Sequence, residues 1–152
     1  MSARELAEPY PFVSTDDDAT TAALLLAEHQ LPALLVVDTD EQPYAIVPGS
    51  QLIGQLLPEY ALEDPPLTAV LDDRCLDDVP ERMAGLTVAE WLPRRRFWAP
   101  VVGPDAGVLQ IAALMARAHS PLVAVVERDG DRAQLVGAVT AARLMERLIG
   151  GS

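Results

Sequence analysis

Cysteine, aromatic side chains and long apolar runs are all scarce in this chain, and each shortage closes a class of explanation. Cys75 is the only cysteine among 152 residues, so no internal disulfide can form and no cysteine-based zinc cluster can assemble. Aromatic residues make up 5% of a composition that is 50% hydrophobic, so Leu, Val, Ile and Ala must fill the core. Such a core suits thin sheets covered by helices. No stretch approaches the roughly 18 to 20 continuous apolar residues that span a bilayer. The opening residues, MSARELAEPYPF, lack the basic segment and apolar run of a signal peptide. The expectation is a soluble, cytoplasmic protein. Positive charge is short as well: 11 basic residues against 23 acidic ones leave a net charge of −12. That balance repels phosphate backbones and acidic lipid surfaces, which argues against nucleic acid and membrane as partners but leaves room for a local site for one small anion. Motifs of catalysis are missing too. The chain carries no Walker-type phosphate loop, nucleophile elbow, zinc spacing or paired His/carboxylate motif, so neither an enzyme, nor catalytic residues, nor a metal site is predicted.

What the chain does contain is a repeat. Residues 16–58 and 103–150 follow one pattern. Each opens on a short extended entry, PFVS or APVVG, and then a polar helix start, Asp16 to Asp18 or Asp105. In the second copy Val108, Ile111, Ala112 and Met115 lie at the spacing of one helix face. The first copy is apolar nearly all round at 22–27, which predicts a helix covered on more than one side. An apolar strand follows (LLVVD to Asp38, VAVVE to Glu127), then a polar turn about three residues longer in the second copy, then a second strand, YAIV or LVGAV. In the closing helices Leu52, Ile53, Leu56 and Leu57 match Leu144, Met145, Leu148 and Ile149 at identical spacing. Pro58 and the pair Gly150 and Gly151 are read as their terminators. Each copy is β-α-β-β-α in about 45 to 50 residues, near the lower limit for a self-sufficient core, so the copies should pack on each other. The division is repeat 1 at 1–58, an acidic, Pro-rich linker and lead-in at 59–93, and repeat 2 at 94–152. LTVAEWL at 86–92 has enough apolar residues to dock.

This organisation resembles the CBS domain family, named for cystathionine β-synthase, whose members are usually tandem pairs called Bateman modules. The resemblance runs over residues 9–58 and 86–150: AEHQLPALLVVD is similar to the family's helix-to-strand segment, LVGAVTAARLM to its closing strand, turn and helix, and LTVAEWL to its lead-in. It implies an α/β (α+β) fold in which two repeats pack sheet to sheet with pseudo-twofold symmetry, leaving two clefts between them. It also implies a homodimer and a regulatory, ligand-sensing role, with AMP, ADP, ATP or S-adenosylmethionine as the ligand classes. The alternative it leaves is a ligand-free dimerisation or protein-interaction module.

The family's ligand motif is Gly, an apolar residue, any residue, Thr or Ser, and Asp three positions on. The hydroxyl and helix-terminal amides hold phosphate, and the carboxylate accepts from ribose hydroxyls. Here Gly137, Ala138, Val139 and Thr140 match, whereas Arg143 stands at the Asp position; in the first copy the equivalents are Ala45, Pro48 and Gln51. The resemblance thus implies the Thr140 cleft as the ligand site, with Thr140 and Arg143 as anion ligands and Ala138 and Val139 beside them as backbone and apolar contacts, ahead of Ser50 and Gln51 in the opposite cleft. Thr140 is equally a helix N-cap. The run of Asp16, Asp17 and Asp18 is read as capping ahead of cation binding, and Asp72, Asp73, Asp77 and Asp78 as a solvated linker. His29 and His119 are expected near the ends of the first helices, Cys75 is an inert thiol, and Trp91 and Trp98 cover the core or a dimer surface. Arg94, Arg95 and Arg96 beside Phe97 and Trp98 either contact a nucleotide or acidic partner, or pair with the acidic linker.

Overall fold

The computed structural model describes residues 1–95 and 97–150. Two three-stranded sheets of one topology are built in succession. The first contains β1 (Phe12–Ser14), β2 (Ala33–Val37) and β3 (Pro43–Pro48), with α2 (Ala19–Glu28) joining β1 to β2 and α3 (Gly49–Gly54) following β3. The second contains β4 (Val101–Val102), β5 (Leu122–Asp129) and β6 (Arg132–Thr140), with α8 (Val108–Ala118) and α9 (Ala141–Gly150) in the same places. In both, the first pair of strands is parallel and the second antiparallel. The register repeats too. Ala33 pairs with Pro48 and Leu122 with Thr140, and each ladder slips once, between Val36 and Val37 or between Val125 and Val126. Pro48 therefore corresponds to Thr140, Ile46 to Ala138 and Ala45 to Gly137.

Local chemistry explains most element ends, and it corrects several expectations. Asp18 caps α2, its carboxylate accepting from the Thr21 amide and hydroxyl. The second copy does not use Asp105 in this way. Gly107 is the N-cap of α8 and offers no side chain, so that helix start rests on its backbone. The extra residues of the second turn are absorbed by longer strands, which meet in a hairpin around Gly130 at φ 65°. The first closing helix ends at Gly54, and Pro58 starts the next helix rather than stopping this one. Gly151 lies outside the described residues. The segment expected as a linker is a chain of short helices, α4 (Glu59–Glu63), α5 (Pro65–Thr68), a 3-10 turn (Asp73–Leu76), α6 (Val79–Met83) and α7 (Val88–Trp91). Thr87 and Glu90 close α7 with a reciprocal capping box, which holds the Glu90 carboxyl below its ordinary value through hydrogen bonds from the Thr87 amide and hydroxyl.

Strand alternation sends side chains to two kinds of core. Leu34, Val36 and Val47 face α2, and Val123, Val125 and Val139 face Ile111, Met115 and Leu144. The other faces meet between the units: Ala33, Leu35 and Ile46 pack with Leu122 and Ala124, all at 2% exposure or less. Short helices are then exchanged along the chain. α1 (Ala3–Leu6) contributes Ala3 and Leu6 to the core of the second unit, whereas Met83, Val88 and Trp91 complete the core of the first. Full burial of Leu6 contributes about 2 kcal/mol. α2 is covered by its sheet and by α6 and α7, although Leu24 stays 54% exposed. Among the described residues no helix is long and apolar enough to cross a membrane.

The exchange brings backbones close together. A Cβ added at Gly137 would collide with the carbonyl oxygen of Glu8. Gly137→Ala is therefore expected to destabilise the fold by about 1–3 kcal/mol, because neither main chain can yield without breaking the bridge between Glu8 and Ala138; chemical denaturation measures it. Tyr10 is the second test. Its hydroxyl donates to the Ala33 carbonyl at 2.6 Å, and burial pushes the phenol from 10.0 up to about 12. The fold keeps this proton where the unfolded chain releases it, so stability is full below about pH 10 and falls as pH rises toward 12. Tyr10→Phe should cost about 1 kcal/mol at neutral pH and reduce that alkaline loss, as read from urea titrations at both pH values.

Candidate functional site: two unequal clefts between the repeats

The pseudo-twofold relation places a cleft on each side of the shared interface, one beside Pro48 to Gln51 and one beside Thr140 to Arg143. Each is walled by a segment ahead of the opposite unit's first strand. Glu8 exchanges two backbone hydrogen bonds with Ala138, both 3.0 Å, and Phe97 accepts one from Ile46 at 3.2 Å. Glu8 and Phe97 are therefore equivalent wall positions. Beside them stand Gly137 and Ala45. Glycine lets the Glu8 main chain approach to where a Cβ would collide, and on the other side Ala45 bridges Trp98.

On the Thr140 side the candidates engage one another. The Thr140 hydroxyl accepts from the Arg143 amide at 3.1 Å, which is an N-cap contact at the start of α9. Arg143 Nε lies 3.4 Å from the Glu8 carboxylate, and neither side chain is fully buried. Ala138 spends both backbone groups on Glu8. Val139 points to the other face of the sheet, into the core beneath α8 and α9. A cavity of about 190 Å³ lies beside Arg143 along α9, lined by Met1, Leu6, Arg143, Glu146, Arg147 and Gly150 and not by Thr140 or Glu8. The Arg4 guanidinium ties the same N-terminal segment to Glu127 at 3.0 Å, which raises the Arg4 pKa through the hydrogen bond and charge of Glu127.

On the Ser50 side the cleft is open. A cavity of about 1080 Å³ has Pro48, Gly49, Ser50 and Gln51 on one wall and Ala118, His119, Ser120 and Pro121 on the facing one. Phe97, Trp98 and Arg95 line the edge, with the Arg95 guanidinium 5.4 Å from the Phe97 ring centre. Trp98 is 70% exposed, unlike Trp91, which is buried in the first core. The charged or titratable lining is Arg95 and His119, with no carboxylate. Sequence reasoning assigned His119 only to a helix end, and there it is, as the C-cap of α8 at φ 50°. Its place in a cleft, with Ser120 and Pro121, emerges only when the α8–β5 connection is set opposite the β3–α3 turn of the other unit. His29 likewise ends α2, its Nδ1 3.2 Å from the Leu25 carbonyl oxygen.

Other candidates are accounted for locally. Asp17 and Asp18 bond to the amides of Ser14 and Thr21, and Cys75 is exposed and free. Among the described residues no three His, Cys, Asp or Glu side chains come together as a metal site. Arg94 and Arg95 form no ion pair with the acidic linker among the described residues, and Arg96 lies outside them.

Comparison with known proteins bears on the whole arrangement. The family model described as "CBS domain" matches residues 94–150. A CBS domain-containing protein of unknown function from Kribbella flavida is 41% identical, with 98% of this chain and 99% of that one covered and a TM-score of 0.85. CBSX2 from Arabidopsis thaliana, 17% identical, covers 98% of this chain and 94% of its own at a TM-score of 0.68. A structure of CBSX2 in complex with AMP, 16% identical, covers 98% and 96% at 0.65. A search of curated proteins found no match. The full-length relation to the Kribbella protein, together with the duplicated register and the paired sheets, shows that this chain belongs to the CBS domain family.

Proposed function

We propose that this CBS pair is a regulatory module that senses a small ligand in the inter-repeat cleft on the Ser50 side, with an adenine nucleotide as the favoured ligand. The observation that carries the reading is the cavity of about 1080 Å³ whose walls come from both repeats. Phe97 and Trp98 offer flat apolar surface to a base, while Ser50 and Gln51 offer a hydroxyl and an amide to ribose or phosphate. Arg95 makes the lining cationic, which favours a nucleotide over the sulfonium of S-adenosylmethionine. The AMP bound by CBSX2 lends the ligand class, since that protein shares the fold. Thr140 and Arg143, with Ala138 and Val139 behind them, are the secondary site, entered when an anion displaces Glu8 from Arg143.

A ligand touching both repeats changes the free energy of their relative placement, which is how occupancy becomes a signal. The receiver in this proposal is a second copy of the chain. Leu24, Ile53, Leu109, Met145, Leu148 and Ile149 on the helical faces are each more than half exposed, enough apolar surface to support a homodimer. The second reading, a ligand-free interaction module, is favoured by the loss of the family's motif at Pro48 and Gln51 and by the pairing of Arg143 with Glu8.

Thermal unfolding with AMP, ADP, ATP and S-adenosylmethionine separates the two. A ligand at about 100 times its dissociation constant should stabilise the protein by about 2.7 kcal/mol. Ser50→Trp, which fills the cleft from an exposed position, should abolish the shift, while Thr140→Ala should leave it in place. Absence of a shift with all four compounds would establish the ligand-free reading.

A further inference from the structure

The two wall segments are anchored by equivalent backbone contacts but differ in length. In α1 the Ala3 and Arg4 amides donate to Ala106 and Pro104; in α7 the Val88 and Ala89 amides donate to Asp17 and Thr15. Ser2 bridges Gly107 as Thr87 bridges Asp18. From these anchors the first segment reaches its wall position, Glu8, with Ala7 alone after the helix, while the second reaches Phe97 through residues 92–96. Four residues are inserted, and among the described ones they bring Pro93, Arg94 and Arg95 to the rim of the open cleft.

Among the described residues Arg94 and Arg95 supply the permanent positive charge at this rim. All eleven basic residues are arginine in a molecule of net charge −12. Arg4, Arg74, Arg82 and Arg143 each pair with a carboxylate. Arg94 and Arg95, like Arg117, Arg128, Arg132 and Arg147, have no ion pair among the described residues, although the chain between the repeats is rich in Asp and Glu. Arg95 lines the cleft, and both arginines line an adjoining cavity of about 140 Å³ with Tyr44, Pro93 and Phe97. Among the described residues no carboxylate lines either space, whereas the equivalent wall position across the pseudo-twofold axis is Glu8.

We propose that the inserted arginine arm is a specificity element that makes the Ser50-side cleft select ligands by their number of negative charges, favouring polyphosphate groups over monophosphates. The inference rests on the ligand-binding reading of the same cleft and goes beyond it by naming what the cleft measures. Pro48 and Gln51 supply neither the hydroxyl nor the carboxylate of the family's motif, and Ser50 and Gln51 are uncharged, so charge recognition of phosphate falls to the arginines. Guanidinium forks on a short loop bind phosphate oxygens in pairs and stay charged at every physiological pH. Their pull grows with each added phosphate and weakens as salt screens it.

Calorimetric titration of the full chain with adenosine, AMP, ADP, ATP and inorganic tripolyphosphate tests this, with Arg94→Gln/Arg95→Gln as the variant and Arg94→Lys/Arg95→Lys as the charge-retaining control. The expected result is affinity rising from AMP to ATP, tripolyphosphate binding on its own, and both ATP and tripolyphosphate weakened about tenfold or more in the glutamine variant. AMP should weaken far less, and the lysine variant should recover part of the loss. Unchanged ATP and tripolyphosphate affinities in the glutamine variant would overturn the arm and leave nucleotide binding standing. Tripolyphosphate binding that depends on the arm, with no added contribution from adenosine, would sustain the arm and overturn the nucleotide reading. No binding by any of the five overturns both.

Discussion

Neither sheet can stand alone, because each has an apolar face that only the other sheet can cover. Helices shield Val36 and Val125 from one side. Leu35, Ile46, Leu122 and Ala124 on the reverse faces would be left in water without the partner repeat. Three strands and two helices bury too little surface to offset the entropy of ordering about fifty residues. Duplication meets that requirement with one sequence pattern used twice, and the pseudo-twofold axis follows from it. The clefts are by-products, formed where two curved units meet only along their centres.

Equivalence of the halves is maintained where burial demands it and abandoned elsewhere. The ladder registers, their single slips and the left-handed residues after the first helices, Gln30 and His119, repeat faithfully. At the clefts the copies diverge. Gly137 admits Glu8 as a close wall and Arg143 pairs with it, whereas beside Ala45 and the longer segment before Phe97 there is a space of about 1080 Å³. Two sites inherited as copies have become chemically distinct through changes at a few backbone-contact positions.

Much of this architecture could be read from residues because it depends on short-range periodicity. Buried strands, the helix face at Val108, Ile111, Ala112 and Met115, and the docking of LTVAEWL all express patterns within a dozen residues. The helix at Ala3–Leu6 was missed: Ser2 and Glu5 repeat the spacing of Thr87 and Glu90, but four residues give little periodicity to detect. The short helices between the repeats were hidden by their prolines and charges, which suit helix starts as well as loops.

By itself the sequence determined the duplication, the family and the identity of the strands and principal helices, because each of these is encoded in local pattern and spacing. Only the tertiary structure decided which wall meets which cleft. Leu6 and Trp91 cross into cores far from their neighbours in sequence, and His119 and Ser50 become opposite walls of one space. Those pairings are set by how two sheets fit against each other, a long-range packing outcome that no window along the chain contains.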